Sequence, residues 1–210
     1  MFRKTLILTI FVLAFFGCTP RVIPAPDFTA TPTATTAAPV IGATAIVTFT
    51  KGLTPTLEPF TLTSPVFENN GGIPAKYTCK GTNISPALAW NEPPTGTVSF
   101  ALIVDDPDAA SVAGHIWDHW VLFNIPAEIR SLDEGAPAPE GSLQGVSSGG
   151  QIKYEGPCPP GGALHHYNFT LYALDTRLEL KAGATKKAVL EAITGHILTQ
   201  SQLIGLYPAK

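Results

Sequence analysis

The side chains of this chain that could do chemistry are concentrated in three short pieces. They are Asp106-Pro107-Asp108, Trp117-Asp118-His119-Trp120, and Gly156-Pro157-Cys158-Pro159-Pro160 followed by His165-His166-Tyr167. Carboxylates and imidazoles together supply acceptors, donors and a charge that switches near neutral pH, which suits acid–base work, metal ligation or capture of a small anion. Asp106-Pro107-Asp108 follows an apolar run at residues 98–104, so it should turn the chain at a strand end with a proline ring fixing two carboxylates. The competing reading is a turn whose aspartates only cap themselves. In residues 117–123 strict alternation places Trp117, His119 and Val121 on one face and Asp118, Trp120 and Leu122 on the other. A lone histidine on such a strand is more often a satisfied core residue than a ligand contact. Residues 156–160 can run neither as helix nor as central strand. Their prolines stiffen a loop whose glycine lets backbone N–H groups face a ligand, unless the loop is purely structural.

Other chemistries find less support. Asp106, His115, His119, His165 and His166 are metal-capable types without the short spacing of a zinc motif, and no functional metal is expected. Cys158 or Ser111 could pair with a histidine, but no nucleophile elbow or triad pattern appears, so no catalytic residue is assigned and no enzyme is expected; a hydrolase acting on a phosphate or carboxyl group with His119 as acid or base is the weaker alternative. Gly149-Gly150 and Gly161-Gly162 lack the strand-to-helix context of a nucleotide loop, and no cofactor is expected.

The elements that must position these residues read as mainly β. Runs rich in β-branched and aromatic residues at 60–64, 98–104, 117–124 and 167–174 are separated by turn clusters at 69–72, 91–94 and 141–150. Residues 98–104 are apolar on both faces, as in a central strand, whereas 168–174 alternate with period two. The best helix starts at Thr185 as N-cap, puts Ala188, Val189, Ala192 and Ile193 on one face and ends at Gly195; residues 129–134 suit a short helical turn.

The N-terminal quarter is of another kind. Arg3 and Lys4 precede an apolar run at 5–16, too short for the ~20 residues of a spanning helix, and Gly17-Cys18 closes it. That order of parts predicts a lipoprotein-type signal at 1–18 with Cys18 as the lipidation site, and hence a lipid-anchored or otherwise secreted protein of the cell envelope. Residues 19–56, dominated by Thr, Pro and Ala, cannot bury enough surface to offset their ordering entropy and are expected to form a disordered stalk. The stretch 41–49 within them has strand propensity. A single domain then occupies 57–210. With 14% charged residues and a formal net charge of −3, the chain lacks the basic field that nucleic-acid binding requires. Once Cys18 is lipidated, Cys79 and Cys158 remain; an oxidising compartment favours pairing them, and the alternative is two buried thiols.

The three pieces in this order, with residues 77–90 and 169–175, closely resemble the phosphatidylethanolamine-binding protein family, also known as Raf-kinase-inhibitor-like proteins, in its bacterial branch. The resemblance spans about residues 57–208. It implies a large antiparallel-rich sheet packed on a smaller one, a few short helices and a small pocket at one end. It also implies a ligand site of Asp106 with Asp108 as its supporter, His119, Gly156, Pro160, His165 and Tyr167, with His166 standing where the family usually has Arg. The expected ligand is a small anion such as phosphate, a phosphorylated or phospholipid head group, or a carboxylate. A regulated kinase or protease is the other partner class that the resemblance suggests.

Overall fold

In the computed structural model of this protein, which describes residues 58–160 and 164–208, β structure dominates. The signal at 1–18, the Cys18 site, the stalk at 19–56 and the strand-prone 41–49 lie outside the described residues. The elements run β1 (Leu62–Thr63), β2 (Gly71–Gly72), a 3₁₀ turn (Ala75–Tyr77), β3 (Leu88–Trp90), β4 (Ser99–Asp106), α1 (Ala110–Ala113), β5 (Trp117–Pro126), β6 (Ser131–Leu132), β7 (Leu143–Gln144), β8 (Leu164–Leu174), α2 (Lys186–Ile193) and β9 (Ile197–Pro208). A six-stranded sheet has the order β2-β9-β8-β4-β5-β7 and a three-stranded one the order β1-β3-β6. The two-sheet, mainly β architecture with few short helices is the one expected.

The sheets face each other across the larger core. Leu62, Leu88, Trp90 and Leu132 of the small sheet pack with Phe100, Leu102, Val104, Leu122, Phe169 and Leu171 of the large one. The opposite face of the large sheet carries Ala101, Ile103, Val121 and Phe123, which are closed off by Val189 and Ile193 of α2. Strand β4 is therefore apolar on both sides because both sides are covered. Thr185 caps α2 by accepting the N–H of Ala188, and Gly195 follows the helix at φ +84°.

Two sequence expectations fail. Residues 129–134 form no helical turn; Ser131–Leu132 pairs with β3, since Leu132 drops into the core opposite Leu88. The alternation expected through residues 117–122 also breaks. Val104 pairs with Trp120 but Asp105 with Asp118, so His119 is an extra residue on β5, a β-bulge. Trp120 and Leu122 then join the inter-sheet core while Val121 faces α2, and His119 is released from the face of Val121.

Candidate functional site

The site is built where β4, β5 and β8 end on the same side of the large sheet. Asp106, the last residue of β4, pairs with Trp117 at the start of β5. Its Oδ1 accepts the N–H of Ala109 at 3.1 Å, which tightens the turn into α1, and its Oδ2 accepts from Nδ1 of His165 at 2.7 Å. Both partners are nearly inaccessible, at 3% and 4%. A carboxylate so enclosed fixes the imidazole's orientation and puts the hydrogen on Nδ1.

His119 reaches the same place from the bulge. Its ring Nδ1 donates to the carbonyl of Glu155 at 2.7 Å, and its own carbonyl accepts the N–H of Glu155 at 2.9 Å. Burial pushes its pKa below the ordinary histidine value, against the opposing influence of the Glu155 carbonyl and of the Asp106, Glu155 and Asp105 charges. The neutral imidazole is thus the favoured form at neutral pH.

The 154–160 segment is pinned at several points to the turn after the 3₁₀ turn. Tyr154 donates its hydroxyl to the carbonyl of Tyr77 at 2.8 Å, Cys79 N–H donates to Pro157 O at 3.1 Å, and a disulfide joins Cys79 to Cys158 with Cα atoms 5.4 Å apart. Gly156 donates its N–H to Oδ1 of Asn83 at 2.8 Å. That donor is spent on Asn83, so the expected backbone N–H facing a ligand is not offered at Gly156. The glycine is required for another reason: a Cβ there would meet the Tyr77 carbonyl oxygen and stand 2.6 Å from Oδ1 of Asn83.

These pieces enclose a cavity of about 510 Å³. Asp106, His119, Gly156, Pro160 and His165, all singled out in the sequence, line it together with Asn83, Trp117, Val112, Glu155 and the disulfide. Its volume lies in the range of small-molecule sites, and its apolar walls with a few converging polar groups are the usual form of one. Two of the sequence-selected residues lie elsewhere. Tyr167 is wholly buried behind the imidazoles, edge-on to His119 with ring centroids 5.2 Å apart and roughly stacked on His165 at 6.5 Å. Its hydroxyl has no hydrogen-bond partner among the described residues, and burial, then the nearby Asp106 charge, hold its pKa well above the phenolic range. Asp108 is half-exposed outside the cavity. It accepts from both the backbone N–H and Nδ1 of His166 at 2.7 and 2.8 Å, contacts that hold its carboxyl below its usual range.

Residues missed in the sequence are Asn83, Glu155 and the α1 wall of Val112 and Ala113. Asn83 carried one faint signal, since Asn is among the few residues that adopt the φ of +57° seen there. Among the described residues, no group of three His, Cys, Asp or Glu side chains is arranged to hold a metal ion.

Fold and cavity together define a two-sheet β protein with a small cavity at one end of its large sheet. The family model for phosphatidylethanolamine-binding protein matches residues 63–208, and the chain belongs to that family. It is 51% identical over 150 residues to a UPF0098 protein of Methanothermobacter thermautotrophicus, covering 70% of this chain and 97% of that one. It is 40% identical over 154 residues to LppC of Mycobacterium tuberculosis, named as a lipoprotein candidate, covering 73% and 74%. Among solved structures, a candidate phosphatidylethanolamine-binding protein homologue from Chlamydia trachomatis aligns with a TM-score of 0.67 at 38% identity, over 72% of this chain and 98% of its own. Escherichia coli YbcL, described as a member of the mammalian family, aligns with the same TM-score at 30% identity, over 72% and 99%.

Proposed function

We propose that this is an envelope binding protein, anchored through Cys18, that holds a small anion such as phosphate, a phosphorylated head group or a carboxylate in the cavity between Asp106, His119 and His165. The observation that carries the reading is the buried Asp106–His165 pair opening into the same cavity as the neutral His119. A proton on His165 is compensated by Asp106, so its Nε2 can become a donor to an anion without leaving an unpaired buried charge. Binding rather than turnover is favoured because no described lining residue carries a hydroxyl and both lining cysteines are bonded to each other. The anchor is supported by the signal-like 1–18 and by the name of the LppC relative.

A second reading, regulation of another protein through the pocket surface, draws on one feature. Val112 at the cavity wall is 61% exposed, so apolar surface borders the cavity. Calorimetric titration of the protein with phosphate, phosphoethanolamine and a peptide panel separates the two. The anion reading expects saturable phosphate binding that His165→Ala weakens by about 1.5–3 kcal/mol and His196→Ala leaves unchanged. Unchanged binding in His165→Ala would remove the site assignment. Labelling by an alkynyl fatty acid that is equal in wild type and Cys18→Ser would remove the anchor.

A further inference from the structure

The hydrogen-bond role of His119 is dictated by its neighbours. A carbonyl oxygen can only accept, so the 2.7 Å contact with Glu155 O places the ring hydrogen on Nδ1. A neutral imidazole has one N–H, which leaves Nε2 as a bare lone pair. No described residue bonds Nε2, and the ring lines the cavity while remaining only 5% exposed. The charged and titratable groups around it are Asp106 and Asp105 from β4, Glu155 from the loop, and His165 and Tyr167 from β8. Their acidic members favour a proton on His119, and burial outweighs them.

We infer that His119 reads a hydrogen on the ligand: the cavity accepts an oxyanion that brings its own O–H to Nε2 and rejects an isosteric oxyanion that carries none. This rests on the anion-pocket reading above and narrows its anions to those that keep an O–H near neutral pH, which inorganic phosphate does and a carboxylate does not. Inorganic phosphate and sulfate make the comparison, being tetrahedral anions of nearly equal size. At about pH 7.5, above the ordinary histidine range, every phosphate species still bears at least one hydrogen and sulfate bears none. Against sulfate the lone pair of Nε2 meets an oxygen lone pair, and both are desolvated without a bond. A site built to bond a ligand hydrogen rejects analogues lacking it by as much as about 10⁴-fold, so a discrimination of at least about 100-fold is a modest demand. His165 is the complementary partner, able to donate from Nε2 to another oxygen when Asp106 balances its proton.

The test is calorimetric titration of the full chain with inorganic phosphate and with sulfate at about pH 7.5, in wild type and in His119→Gln. Gln places a rotatable amide near the Nε2 position and can turn N–H toward either ion. The expected result is phosphate bound at least about 100-fold more tightly than sulfate in wild type, with the ratio collapsing toward one in His119→Gln through gained sulfate affinity. Long-range ¹H–¹⁵N spectra should show His119 as the neutral Nδ1–H tautomer. Equal affinity of wild type for the two ions would overturn the inference and leave the anion pocket standing. No binding of either ion would overturn both. An imidazolium or an Nε2–H tautomer at His119 would overturn the inference whether or not His119→Gln folds.

Discussion

Asp105 and Asp118 face each other directly across the β4–β5 ladder. Like charges in that position repel, and the ammonium of Lys186 from α2 stands between them, donating to Oδ2 of Asp105 at 2.9 Å and lying 2.6 Å from Oδ1 of Asp118. Burial works against charging this lysine, but the two carboxylates outweigh it and hold its pKa above the ordinary value. Replacing Lys186 with Met should destabilise the protein by about 3 kcal/mol, because two partly buried carboxylates lose their counter-ion. Asp105→Asn in the same background should recover part of the loss. Urea denaturation of wild type and the two variants measures this, and a Lys186→Met midpoint equal to wild type would contradict it.

Gly156→Ala should cost about 2 kcal/mol or more, since its methyl group meets backbone at Tyr77 as well as Asn83, and backbone cannot rotate away. Asn83→Gly keeps the φ of +57° without strain, removes the 2.8 Å bond to Gly156 N–H and should cost about 1 kcal/mol. Melting curves that ranked the two in the reverse order would show that the loop yields more easily than its contacts imply.

The depressed pKa of His119 makes stability depend on pH. The unfolded chain takes up a proton at the ordinary value near ~6.5, while the folded chain resists until the pH is lower. In that window the unfolded state binds more protons, so stability rises with pH. The contribution is complete above about 6.5 and declines as pH falls through and below that value. Urea midpoints at about pH 7.5 and 5.5 should therefore differ more in wild type than in His119→Gln. Equal differences in the two proteins would mean that His119 titrates normally.

The Cys79–Cys158 bridge closes a loop with a sequence separation of 79. In the chain-entropy account, a loop of that size contributes about 4 kcal/mol by restricting the unfolded chain. Replacing both cysteines with Ala, or adding a strong reductant, should lower the denaturation midpoint accordingly. The reductant should have no further effect on the double variant.

What could be read in the sequence and what could not divide along a physical line. Strands β4, β5 and β8 announced themselves through local composition, and the turn and loop motifs that hold Asp106, Gly156, Pro160 and His165 are contiguous in the chain. The 12-residue β9 went unnoticed because its burial is uneven: only Leu203, Gly205 and Tyr207 are buried among Ile197–Tyr207. Asn83 and Glu155 enter the site through contacts spanning 73 and 36 positions, which no local pattern encodes. The orientation of His119 departs from the alternation of its sequence because alternation requires a ladder in perfect step, and a single unmatched residue breaks it. The residue type of Tyr167 permits donation to a ligand, but its burial behind two rings places it outside the cavity.

The unmatched residue also separates two jobs that most strands perform together. Val104 with Trp120 and Asp105 with Asp118 are in register on either side of His119. Excising that one residue would splice the ladder into regular alternation, with every apolar side chain still on its own side and the Lys186 bridge still in reach. The Asp106–His165 pair on β4 and β8 would be untouched, while the imidazole that faces it and the two bonds of His119 to Glu155 would be lost. Selection can therefore act on the recognition group of this strand without renegotiating the core on which it stands.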